Sequence, residues 1–272
     1  MAVYRFMDVG TAKPGRAERA AVPFHLIDVA EPDEGFNVAR FNSLAHEKLI
    51  GIRERGRIPI VAGGTGLYVR ALLQGFGLTS TPPDMELRTS LERHAEEHGT
   101  AALHERLVAV DPEAALKIHA NDRIRIIRAL EVCLRTGRPI SAQHATDAAH
   151  RRPLDALKFG LTVDRKELDR RIDARVDRMV ADGLEREVRI LIGRGFDPSL
   201  SSMRSLGYKE MAAFVTGEME LPEAVEAIKK NTRRFAKRQL TWFRAEKDIT
   251  WIDVGGKTPS EIAGEILARM PN

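Results

Sequence analysis

Two rhythms of apolar residues run through this chain. Around residues 41–56 the period is helical: Phe41, Leu44, Ala45, Leu49 and Ile52 recur on one face, and Gly56 followed by Pro59 ends the helix. The next stretch, IPIVAGG from Ile58 to Gly64, is a continuous β-branched run, the pattern of a strand buried on both faces of a parallel sheet. LYVRALLQG returns to helix, with Leu67, Val69, Ala71 and Leu72 ahead of a stop at Gly75. Helix, strand, glycine turn and helix make an α/β unit. Further strands are expected at LKFGLTV (Leu157 to Val163) and ITWIDV (Ile249 to Val254).

Between these strands the pattern is mostly helical. Asp111 with Pro112 reads as an N-cap and first-turn pair, and Thr136-Gly137-Arg138-Pro139 reads as a stop. The expected organisation is an α/β core from residues 1–83 and 151–272, interrupted by a helical insertion at 84–150. From Asp164, with Glu167 at capping-box spacing, Leu168, Ile172, Val176 and Met179 share a helix face that Gly183 breaks. The opening MAVYRFMDVGTAKP is polar and patterned, with no strand or helix before it. It is either an ordered arm or the middle of a motif whose upstream part is missing.

Composition narrows the class. The chain has 272 residues, 43% of them hydrophobic, enough for a buried core. No apolar run approaches the roughly 20 residues of a membrane helix, and no apolar core of a secretory signal opens the sequence, so a cytoplasmic protein is expected. Cys133, the single cysteine, sits among Leu130, Val132 and Leu134 as a small core residue. The eight histidines show no ligand spacing with cysteine or carboxylate, which argues against zinc. A net charge of +4 and a pI near 9.3 permit a nucleic-acid partner without requiring one.

Where the charges sit matters more. In KKNTRRFAKRQLTWFR, Lys229 to Arg244, the residues Val225, Ile228, Thr232, Phe235 and Trp242 keep helical spacing, while Lys229, Lys230, Arg233, Arg234, Lys237 and Arg238 form a basic stripe. No acid lies between Glu226 and Glu246, so phosphate contacts are favoured over a solvated face of mixed sign. NDRIRIIRALEV carries a second set, Arg123, Arg125, Arg128 and Arg135, with Glu131 able to pair with Arg125 or Arg128. A third, Arg165 to Arg178, is interleaved with acids and reads as a solvated face.

Three loops remain. AGGTG, Ala62 to Gly66, suits either a tight turn or an anion site beside Thr65 at a helix start. SMRSLGYKEM, Ser201 to Met211, places Arg204, Tyr208 and Lys209 around a glycine, as a phosphate fork or as a charged turn. GGKT, Gly255 to Thr258, is not a phosphate loop, because Trp251 stands where GxxxxGK[ST] needs its first glycine; Thr258, Pro259 and Glu261 instead fit a capping box.

Taken together, VYRFMDVGTAKP, PFHLIDV, VAGGTGLYVRALL, NDRIRIIRALEV, MRSLGYKEM and TRRFAKRQLTWFR resemble the tRNA dimethylallyltransferase family, in order and over nearly the whole chain. The resemblance implies an α/β enzyme of P-loop NTPase type with a helical insertion. Such an enzyme moves a prenyl group from dimethylallyl diphosphate to the exocyclic amine of the adenosine 3′ of the anticodon, which it extrudes into a channel. It implies that Thr65 lies where the channel's two ends meet and that Arg204 binds diphosphate, the two catalytic candidates. The implied tRNA contacts are Arg88; Ile124, Arg125, Ile126, Ile127 and Arg128; Ser205, Leu206, Gly207, Tyr208 and Lys209; and Arg233, Arg234, Lys237, Arg238 and Gln239.

The same resemblance implies Mg2+, nucleotide-type phosphate binding and a monomer working on tRNA away from membranes. It also exposes departures. The family's P-loop and general-base aspartate have no match in this sequence; Asp8 matches a different aspartate, Ala2 stands for a usual glutamine, and Phe6 for a usual glycine. The expectation is therefore an enzyme lacking its first strand and P-loop, with no cofactor- or metal-binding residues to assign. Its Ile60 and Val61 would be exposed, its stability low and its activity open to loss. A non-catalytic tRNA-binding protein is the alternative, and a small-molecule kinase is disfavoured by the basic helix.

Overall fold

The computed structural model describes residues 1–75, 84–149 and 153–270. Chain order begins with α1 (Arg16–Ala21), α2 (Val38–Glu54) and α3 (Gly66–Gln74). It continues through α4 (Met85–His98), α5 (Thr100–Val110), α6 (Pro112–Lys117), α7 (Arg123–Thr136) and α8 (Ile140–Ala149). Then come β1 (Lys158–Thr162), α9 (Arg165–Ala181), α10 (Leu184–Gly193), α11 (Tyr208–Val215), α12 (Leu221–Arg244), β2 (Ile249–Asp253) and α13 (Pro259–Leu267). β1 and β2 pair in parallel, Lys158 opposite Ile249 through Thr162 opposite Asp253. The protein is an α/β fold with a small parallel sheet and many helices.

Local chemistry accounts for most of the ends. Asn37, Asp84, Asp111, Asp122, Asp164 and Thr258 each accept an amide of the following turn. Gly137, left-handed at φ 67°, closes α7 at the expected stop, and Gly183, at φ 100°, separates α9 from α10.

Two compact units emerge, Met1–Val69 with Asp155–Asn272, and Arg70–Leu154. The second is wider at both ends than the expected insertion, whose limits fall beside residues outside the described ones. Its core gathers Leu91, Leu103, Leu107, Ile126, Leu130 and Val132 from α4, α5 and α7. In the first unit, Val176, Leu184, Val188, Leu191, Met211 and Ile228 pack with Tyr4 and Met7 of the opening segment.

That opening segment is an ordered arm. Met7 is fully buried, and Tyr4 forms a parallel bridge with Ala30. Lys13, almost wholly buried, is held by Asp8 and Asp28, each at 2.6 Å, and by the Tyr4 carbonyl at 2.8 Å.

The expected strand at Ile58 to Gly64 does not form. The stretch has no strand partner among the described residues, and Ile58, Ile60 and Val61 are 70%, 86% and 44% exposed. A strand's backbone groups need a ladder on at least one side. The apolar run supplies the side chains for burial but not the neighbouring strand that would bury them.

Candidate functional site

The scaffold of the site is α12, 24 residues long. Its Gln239 donates through Nε2 to the Gly64 carbonyl at 2.9 Å, and the Trp242 indole lies so close to Gly66 that a Cβ there would come within 2.1 Å of Nε1. Gly66 of AGGTG is therefore required for contact with α12, not for a turn alone. Thr65 stands exposed between these two anchors, and its carbonyl starts α3 by accepting from Tyr68 and Val69 at 2.9 and 3.1 Å.

The second loop is held by the same helix. Glu210, 7% exposed, accepts from the Gly207 amide at 2.9 Å and from Asn231 Nδ2 of α12 at 2.8 Å. Ser202 fixes the loop's other end, donating to the Pro32 carbonyl at 2.5 Å. Asn231 and Gln239 are eight residues apart, about 12 Å along a helix axis, so one rigid element sets the spacing of the Thr65 and Arg204 loops. Arg204 and Lys209 are exposed, and no carboxylate pairs with either among the described residues.

Tyr208 differs from its expected place as a tRNA contact. It is fully buried; its hydroxyl donates to Glu187 Oε1 at 2.5 Å, and its ring fills the space a Cβ on Gly10 would need. Glu187 also accepts the amides of Asp8, Val9 and Gly10 at 2.8, 2.7 and 3.1 Å. Burial first, and then the Glu187 carboxylate, push the Tyr208 phenol far above its ordinary range, so it stays a donor. Gly207, left-handed at φ 91°, is buried as well, while Ser205 and Leu206 are half-buried.

The basic stripe divides. Lys229 pairs with Asp177 at 2.7 Å and Arg233 pairs with Asp173, both acids belonging to α9. The α9 face expected to be merely solvated thus neutralises one flank of α12. Lys230, Arg234, Lys237 and Arg238 are exposed, with no carboxylate partner among the described residues, and fall within an arc of roughly 100° on an ideal helix. Arg238 also lies over the Phe235 ring, 5.8 Å from its centroid.

In the second unit Glu131 is inaccessible to solvent. It receives Arg88 through Nε and Nη2, both at 2.9 Å, Arg128 Nη1 at 2.5 Å, and the Asp84 amide at 2.7 Å. Burial alone would raise the Glu131 carboxyl, but Arg88, the Asp84 amide and Arg128 together outweigh it and hold its pKa at about 2. Arg125 pairs with Asp122 at 3.3 Å, and Ile124 is 82% exposed. Ile126 and Ile127, also expected at tRNA, are instead buried in the core.

Residues 2–246 match the family described as IPP transferase. The chain belongs to the IPP transferase family. Two relatives named tRNA dimethylallyltransferase are similar over most of their length. That of Desulfosudis oleivorans is 49% identical over 93% of this chain and 80% of its own, and that of Desulforudis audaxviator 48% identical over 98% and 87%. The solved tRNA isopentenylpyrophosphate transferase of Bacillus halodurans superposes with a TM-score of 0.69 at 41% identity, over 98% of this chain and 84% of that one. A eukaryotic dimethylallyltransferase acting on tRNA gives 0.76 at 25% identity, over 100% and 72%.

In this IPP transferase no group of three or more His, Cys, Asp or Glu side chains that could hold a metal ion occurs among the described residues. No helix among those residues is long and apolar enough to cross a membrane. Glu187 was not singled out in the sequence, and Asp173 and Asp177 fell on a face read as solvated; Glu131 was expected to pair with Arg125 or Arg128 and pairs with Arg128. Glu210 left a local signal, three residues after Gly207 in a capping-type spacing.

Proposed function

We propose that this chain is a tRNA dimethylallyltransferase that moves the prenyl group of dimethylallyl diphosphate onto the exocyclic amine of the adenosine 3′ of the anticodon. The observation that carries the reading is the joining of the Thr65 loop to the basic helix. Gln239 and Trp242 grip AGGTG on one side of α12, while Lys230, Arg234, Lys237 and Arg238 face solvent on another. Phosphates drawn to that basic face bring RNA to the helix from which Thr65 and Arg204 are both suspended.

The amine nitrogen attacks the allylic carbon, the carbon–oxygen bond breaks, and its electron pair leaves with the diphosphate. Thr65 orients the amine by hydrogen bonding, and Arg204, which pairs with no carboxylate among the described residues, takes up charge on the departing diphosphate. The amine proton must pass to a base. Asp8 does not serve, since its carboxylate is tied to Lys13. The full reading includes a core of P-loop NTPase type, magnesium accompanying the diphosphate, and a monomer working in the cytoplasm.

The test is to incubate the chain with magnesium, dimethylallyl diphosphate and unmodified tRNA and to analyse the nucleosides by mass spectrometry. An adenosine one prenyl group heavier is expected, with Arg204→Ala lowering kcat/KM for the diphosphate about 100-fold. Binding of tRNA without that product would favour a tRNA-binding protein and sink the catalytic assignment for this chain.

A further inference from the structure

Glu131 is one carboxylate serving two arginines, among buried residues of α7 that are otherwise apolar. Its Oε1 accepts from the Asp84 amide and Arg88 Nε, and its Oε2 from Arg88 Nη2 and Arg128 Nη1, so each oxygen holds two donors and none faces water. Around it lie Ile127, Leu130 and Val132, 6%, 1% and 0% exposed. Replacing a buried ion pair with packed apolar residues is often neutral or stabilising, so stability alone does not explain a carboxylate here.

What the arrangement does accomplish is geometric. Arg88 comes from α4 and Arg128 from α7, and their side chains stay about one-third exposed, at 34% and 29%. Arg88 is held by two bonds in a fork that a lysine could not make. Both long side chains are held against the same carboxylate, Arg88 through two bonds and Arg128 through Nη1, so they are fixed side by side.

We propose that Glu131 is a positioning residue for tRNA, holding Arg88 and Arg128 side by side as a preformed grip on an RNA phosphate. A held guanidinium loses less side-chain freedom on binding than a free one, which is where the affinity arises. The proposal rests on the reading of Arg88 and Arg128 as tRNA contacts.

The decisive property is a sign. Glu131→Gln makes the chain one charge more positive, so an electrostatic role alone predicts tighter tRNA binding. Loss of positioning predicts weaker binding. We expect the dissociation constant of an unmodified tRNA, followed by fluorescence anisotropy at fixed salt, to rise about tenfold in Glu131→Gln, with KM for dimethylallyl diphosphate unchanged. Unchanged or tighter tRNA binding by the folded variant overturns the proposal.

Arg88→Ala separates the proposal from the reading beneath it. If Arg88→Ala weakens binding and Glu131→Gln does not, the positioning role alone fails; if neither weakens it, the assignment of Arg88 to tRNA falls too, and the proposal with it. Should Glu131→Gln melt below the assay temperature, Arg88→Lys keeps the charge but loses the fork. The same weakening is expected there, and wild-type affinity overturns the proposal.

Discussion

Gly64 and Gly66 illustrate how neighbouring residues of one motif can carry different constraints. A Cβ on Gly64 would meet Gln239 Nε2 at 2.2 Å, the far end of a flexible side chain, whereas on Gly66 it would meet the Trp242 indole at 2.1 to 2.6 Å. Gln239 can swing aside; a half-buried indole cannot. Gly66→Ala is therefore expected to displace the Thr65 loop and cut prenyl transfer at least tenfold, with Gly64→Ala within about threefold of wild type by the same nucleoside assay. Equal losses in both would refute the difference.

Glu131 gives a residue-level pH dependence. Its folded pKa, about 2, lies below the ordinary 4.5, so its contribution to stability is complete above about pH 4.5 and is lost as pH falls toward 2. The amount is on the order of 3 kcal/mol. Urea unfolding of wild type across that window should therefore lose more stability than Glu131→Gln does, and parallel pH profiles would contradict the assignment.

At the scale of the element, α12 divides its charge between fold and ligand. Lys237→Ala with Arg238→Ala should weaken tRNA binding, flatten its salt dependence by about 0.7 per lost phosphate contact, and leave the melting temperature nearly unchanged. Lys229→Ala and Arg233→Ala remove pairs to Asp177 and Asp173 and should affect the salt slope less. If all four substitutions flatten it equally, the pairing with α9 does not matter for RNA.

The elements also show where sequence reading reaches its limit. The ends of α7, α9 and α13 and the positions of β1 and β2 follow from caps, glycines and apolar runs a few residues long. The stripe on α12 was legible, but its partition was not, because the neutralising acids lie 52 and 60 residues away in sequence on α9. Ile58 to Gly64 failed for the converse reason: a buried-strand pattern states what the side chains need and cannot supply a neighbour.

For the whole molecule, that exposed run has a consequence. Ile58, Ile60 and Val61 present apolar surface with no covering strand among the described residues, which lowers the burial that stabilises the core. The chain alone should unfold below the usual mesophile range, and amides 58–64 should exchange quickly with solvent. A cooperative melt in that range with slow exchange at Ile60 would count against this.

By itself the sequence determined the kind of enzyme family, the helices and their caps, the two paired strands and the basic character of α12, because each is written in residues close together along the chain. Only the tertiary structure decided that Tyr208 is a buried donor to Glu187, that Gly66 sits against Trp242, and that Glu131 joins Arg88 to Arg128. Tyr208 and Glu187 are 21 positions apart, Arg88 and Glu131 43, and Gly66 and Trp242 176, and a side chain's neighbours at such distances are set by packing, not by local spacing.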